Sequence, residues 1–95
     1  MPIFSFPDEA QWDEETATLT FTVRVGEYEG TVFVPRAVFT SLMERRPTAE
    51  ESSAFFHANR PVFEKAVETR IVDRALDPDA NIHLTARDVR RAIPG

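Results

Sequence analysis

The clearest pattern in the chain is a period of two. Leu19, Phe21, Val23 and Val25 alternate with Thr18, Thr20, Thr22 and Arg24, which predicts a strand with one apolar face against a core and one polar face toward water. Gly26-Glu27-Tyr28-Glu29-Gly30 places two glycines where the chain must turn, and Thr31 to Val34 returns as the second arm of a hairpin. Pro2 to Phe6 predicts a short first strand, with Ile3 and Ser5 on one side, Phe4 and Phe6 on the other, and Pro7 at its end. Pro7 to Glu15 is polar apart from Trp12 and reads as a surface loop with at most one helical turn.

Beyond Val34 the period becomes helical. Pro35 suits a helix start, because its fixed φ fits the first turn and its missing N–H would be unpaired there. The predicted helix runs from about Arg36 to Arg45, with Val38, Phe39, Leu42 and Met43 as its apolar stripe, Arg45 and Arg46 near the negative end of its dipole, and Pro47 beyond. Thr48-Ala49-Glu50-Glu51 has the spacing of a capping box. Phe55, Phe56, Asn59, Phe63, Ala66, Val67, Arg70 and Ile71 then keep helical spacing to about Ala75. Pro61 interrupts this stretch, since a proline inside a helix costs about 3 kcal/mol unless the chain bends or restarts. The unbroken apolar phase favours one helix from Thr48 to about Arg74, kinked at Pro61. A break at Asn59, a competent N-cap, is the alternative. Residues 77–81 read as a turn, Ile82-His83-Leu84 as a short edge or closing strand, and Thr85 as the cap of a terminal helix reaching Ile93.

An early hairpin followed by clustered helices predicts an α+β fold: a small antiparallel sheet with helices packed on one face, one long kinked helix and a short C-terminal helix. Ninety-five residues without a linker-like stretch make a single domain, residues 1–95. Apolar residues form 42% of the chain, with eight Phe, one Trp and one Tyr, enough for one small core. Cysteine is absent, which excludes a disulfide scaffold and fits a reducing compartment. No apolar run approaches the roughly 20 residues a membrane helix needs, and no signal peptide is visible. A cytoplasmic protein is the expectation.

Net charge is −5, and it is unevenly spread. Residues 1–30 hold Asp8, Glu9, Asp13, Glu14, Glu15, Glu27 and Glu29 against Arg24 alone, while the remainder is close to neutral. This balance disfavours nucleic acid as a partner. An acidic N-terminal third is either a solvated face or a means of steering a basic partner. Ten of the eleven bases are Arg, whose planar fork suits ion pairs with the many carboxylates within the chain.

Together, several segments resemble a known family. They are Phe6-Pro7-Asp8, Trp12-Asp13-Glu14, the alternating strand ending in Val25-Gly26, Phe55 with Asn59-Arg60 and Phe63-Glu64, and Leu84-Thr85-Ala86-Arg87-Asp88. The chain is similar over nearly its whole length to the small bacterial domain-of-unknown-function family numbered fourteen eighty-eight. The resemblance implies a cytoplasmic α+β domain of bacterial origin and no particular reaction.

Candidate chemistry is sparse. Asp77, Asp79 and Asn81 fall at positions one, three and five of a calcium loop and Asp88 at position twelve, but Ile82 stands where the sharp turn needs glycine. His57 and His83 sit on separate elements, without ligand spacing and without a nucleophile elbow. Three glycines furnish no phosphate-cradling loop. No catalytic residue, metal ligand or cofactor is therefore assigned. Trp12 and Tyr28, and Asn59 with Arg60 beside Pro61, are the candidate partner contacts, each weighed against a role within the fold. Arg60 is also placed to pair with Glu64 four residues on. The favoured reading is a non-enzymatic interaction or accessory domain with a protein partner, self-association into a homodimer included. The alternatives are a small enzyme or ligand-binding protein with a dispersed Glu/Asp/His/Arg site, and a regulator binding nucleic acid.

Overall fold

The computed structural model describes residues 4–73 and 81–94. Strands β1 (Phe4–Ser5), β2 (Ala10–Asp13), β3 (Thr18–Val25) and β4 (Tyr28–Pro35) precede helices α1 (Arg36–Met43), α2 (Ala49–Ala58) and α3 (Arg60–Val72). Strand β5 (Ile82–His83) and helix α4 (Ala86–Ala92) follow. The chain is α+β as its pattern predicts.

β3 and β4 form the central hairpin, paired from Thr18↔Pro35 to Val25↔Tyr28. Only Gly26 and Glu27 turn. Gly26 has φ +59°, a conformation glycine adopts without Cβ strain at the first central position of a II′ turn. Gly30, read as part of the turn, is instead buried in β4 opposite Val23. β1 and β2 lie end to end along the other side of β3. Between their registers Phe6 to Glu9 stand against only Thr22 and Val23, so the edge bulges.

β2 corrects the expected loop. Ala10 and Trp12 turn to the core while Gln11 and Asp13 are exposed, a period of two too short and too acidic to announce itself. β5 pairs in parallel with β4 through Val32↔Ile82 and Phe33↔His83, which makes the sheet mixed, not purely antiparallel.

Leu19, Phe21, Val23, Val32, Val34 and Ile82 point to one side of the sheet. There they meet Val38, Phe39, Phe56, Phe63, Val67 and Val89 from the four helices in one cluster. Rings stack through it, with Phe56 5.0 Å from Phe21 and 5.2 Å from Phe63, and Phe39 5.8 Å from Phe63. Such tilted pairs add to the apolar burial.

α1 ends earlier than expected, at Met43, with Glu44 left-handed at φ 58°. Arg45 and Arg46 therefore lie beyond it, and Arg45 pairs with Glu51 of α2. In place of one helix kinked at Pro61, the chain breaks at Asn59 (φ −121°, ψ 22°), and Pro61 falls in the first turn of α3 where it lacks nothing. Asn59 does not cap α3 with its side chain. Its Nδ2 donates to the Phe55 carbonyl at 3.0 Å, and its own carbonyl accepts from Val62. Both predicted caps are present as capping boxes, Thr48 with Glu51 and Thr85 with Asp88. The end of the expected long helix beyond Asp73 and most of the turn at 77–81 lie outside the described residues.

Candidate interaction surface

Among the described residues all helices lie on one side and no element covers the opposite face of the sheet, although Thr18 at its end is buried. That face carries Gln11 and Asp13 from β2, Thr18, Thr20, Thr22 and Arg24 from β3, Glu29, Thr31 and Phe33 from β4, and His83 from β5. Threonine suits this position, since its β-branch fits the pleat and its hydroxyl tolerates water, while that of the buried Thr18 donates to the Thr16 carbonyl. Phe33 departs from the pattern. Its ring stacks on the His83 imidazole at 4.6 Å with an interplanar angle of 11°. Beside the pair, Asp13, Thr16, Thr18, Thr20, Phe33, Pro35 and His83 line a hollow of about 280 Å³.

The free edge of β2 completes this surface. The two-residue turn makes Val25 and Tyr28 a hydrogen-bonded pair, so alternate residues of β3 direct their backbone groups to β4 and the others to β2. Thr18 and Thr20 then bond Asp13 and Gln11. The N–H and C=O groups of Ala10 and Trp12 point outward, and among the described residues no strand pairs with them.

The four candidate contacts are spread over the fold, and each touches other parts of it. Trp12 is half-buried, 6.4 Å from Phe39, with the Arg36 guanidinium 5.6 Å above its ring. Tyr28 is half-buried at the hairpin end and packs against the core. Asn59 holds the break between α2 and α3. Arg60 donates from Nε to Glu64 at 2.8 Å, from Nη1 to the Asp8 carbonyl at 3.0 Å and from Nη2 to the Pro7 carbonyl at 2.6 Å. Its guanidinium also lies over Phe56 and Phe21, at 5.3 and 6.0 Å. Arg60 thus occupies the bulge between β1 and β2, whose carbonyls have no ladder partner. Only Trp12 belongs to the edge, and the structure does not bring the four together.

The phase of residues 31–34 could have pointed to Phe33. Val32 and Val34 take the core face, so an aromatic between them must stand on the other one.

Two carboxylates outside this surface, Asp88 and Glu51, serve the fold. Asp88 bonds Arg70 and the Thr85 N–H. Burial works to raise its pKa, but the Thr85 bonds and Arg70 outweigh it and hold the carboxyl below its ordinary range. The same contacts occupy the carboxylate that the calcium pattern would need at position twelve. Asn81 Oδ1 accepts from the Thr31 N–H at 3.2 Å. Glu51 is pulled down to about 2, first by Arg45 and then by the Thr48 amide. His57 lies exposed on α2, away from His83 on β5. Among the described residues no group of three His, Asp or Glu side chains is arranged to hold a metal ion. Nor is any helix among them long and apolar enough to cross a membrane.

The fold is that of a two-layer α+β domain whose helices leave one sheet face open. Residues 4–84 match the family model "Protein of unknown function (DUF1488)", and the chain belongs to that family. A crystal structure at 1.60 Å of a protein of unknown function from the DUF1488 family of Shewanella loihica PV-4 has the same fold, with a TM-score of 0.76 at 20% identity over 85% of this chain and 90% of that one. No curated protein matches the sequence.

Proposed function

We propose that the chain is a non-enzymatic protein-interaction module that binds through the side of its sheet the helices leave bare, self-association included. The supporting observation is the stacked Phe33–His83 pair on a face made mostly of threonines and other polar residues. A large apolar ring left half-buried on a sheet face that no helix covers is characteristic of contact sites, where aromatic residues supply much of the binding energy. The test combines sedimentation over a wide concentration range with affinity capture, for the wild type and Phe33→Ser. Association or capture that Phe33→Ser weakens about tenfold, roughly 1.4 kcal/mol, supports the reading. A monomer at every concentration that captures nothing overturns it.

The hollow beside Phe33 favours a second reading, the binding of a small ligand. Its wall joins an aromatic ring to hydroxyls, an imidazole and the Asp13 carboxylate, the mixture of apolar surface and a few polar groups typical of small-molecule sites. A metabolite that raises the melting temperature of the wild type but not of Thr20→Val would establish it.

A further inference from the structure

We infer that the β2 edge docks a basic, extended segment of a partner protein, which adds to the sheet as a further strand. This rests on the interaction reading above and names the partner's chemistry. Ala10 and Trp12 together present two N–H donors and two C=O acceptors along one line, the pattern an added strand satisfies. Carboxylates flank that line. Asp8 and Glu9 precede it; Asp13, Glu14 and Glu15 follow it, all exposed. The ion pairs of the described residues are Arg24–Glu29, Arg45–Glu51, Arg60–Glu64 and Arg70–Asp88, so among the described residues no basic side chain pairs with any of the five.

That charge decides the occupant. A second copy pairing edge to edge would set five carboxylates against five, and charged edges of this kind keep strands from self-pairing. A strand with Lys or Arg toward both ends meets attraction at each end and backbone partners between. Four residues of strand at about 3.4 Å each separate the two acidic groups by about 14 Å, so the basic residues should stand about four or five positions apart. Arg60 fixes the frame by holding the Pro7 and Asp8 carbonyls just before the edge.

The experiment titrates the full chain with a capped peptide, Lys-Arg-Val-Thr-Val-Thr-Lys-Arg, and with its Glu-for-basic counterpart. Fluorescence of Trp12, the sole tryptophan, and amide exchange at Ala10 and Trp12 report on the edge itself. The expected result is saturable binding of the basic peptide, slowed exchange at those two amides, and affinity that falls about tenfold or more as salt is raised past a Debye length of about 5 Å. Glu14→Lys/Glu15→Lys lies in an exposed turn and should abolish this binding without altering the circular dichroism spectrum. Ala10→Pro removes one outward donor and leaves the bonds to β3 in place, so it should weaken binding as well.

No binding, equal binding of the acidic peptide, or an edge-to-edge dimer protecting the same amides would overturn the proposal. If the peptide fails while association dependent on Phe33 persists, the edge assignment falls and the interaction reading stands. If both fail, both fall.

Discussion

Replacing Arg60 separates a structural clamp from a partner contact. Its side chain is only 16% exposed, so its bonds escape most of the solvent screening that makes surface pairs nearly worthless. Hydrogen bonds to charged groups contribute about 1.5–3 kcal/mol each when the partner is otherwise stranded. Arg60 makes three, but the two loop carbonyls regain water once the loop lifts, and Glu64 is on the surface side. A net loss of about 2–3 kcal/mol is the reasonable sum for Arg60→Ala, with cation–π contact to Phe56 included. For a domain of this size that is about 10–20 °C in melting temperature. Arg60→Lys keeps the charge, loses the fork, and should fall about midway. The assay is thermal denaturation together with amide exchange at Gln11 and Asp13, whose bonds to β3 depend on the anchored bulge. A variant that melts within about 2 °C of wild type, with those amides unchanged, would refute the clamp and return Arg60 to the list of residues free to meet a partner.

Phe56 is fully buried between Phe21 and Phe63, so Phe56→Ala should cost about 3–5 kcal/mol in urea unfolding, with no loss of the transition's slope. Gly26→Val should cost about 1–2 kcal/mol from backbone strain alone, since a Cβ there meets nothing within 4 Å; Gly26→Asn should cost less, and equal losses would refute the strain account. The Glu51 carboxyl should titrate near 2 by carbon NMR, against an ordinary 4.5. A folded pKa below the unfolded one means that the Arg45–Glu51 pair and its capping box stabilise above about 4.5 and lose that effect as pH falls toward 2, and Asp88 shifts in the same direction. Glu51→Gln should flatten this part of the acid limb, and a Glu51 midpoint in the ordinary range would contradict the geometry.

How legible each element was depends on where its determinants lie. β3 and both capping boxes are specified by residues within a few positions of one another, and pattern reading finds them. β2 is specified by β3. Four residues that include one acid and are flanked by four more have weak strand preference, and only pairing from Ala10↔Phe21 to Asp13↔Thr18 makes them extended. The break at Asn59 shows the reverse failure. The apolar phase from Phe55 to Ile71 continues because both helices lie against the same core, so phase alone cannot distinguish one bent helix from two. Local chemistry decided, since restarting at Arg60 removes the cost of Pro61. The parallel pairing of β5 was illegible for a different reason: direction follows from how three helices return the chain to the sheet, which no two-residue strand encodes. Trp12 and Arg60 stand out in the sequence, yet what they touch is set by Phe39, Pro7 and Asp8 far away in the chain.

The open face follows from economy of length and gives Phe33 its significance. Four helices and one core take up most of the large apolar residues described in a 95-residue chain, leaving too few to build a second layer over the other side of the sheet. That side must then be made compatible with water, and threonine at positions 20, 22 and 31 does so while keeping strand propensity. The same solution was open at position 33, opposite Thr20. A threonine there would remove a half-buried ring from the outer face without touching the core, since Val32 and Val34 already fill the inner face. The fold therefore gains little from Phe33 beyond its stack with His83, and a replacement should leave stability within about 1 kcal/mol of wild type. If Phe33→Thr instead destabilises as a core residue would, the ring serves the sheet and the interaction reading loses its main support.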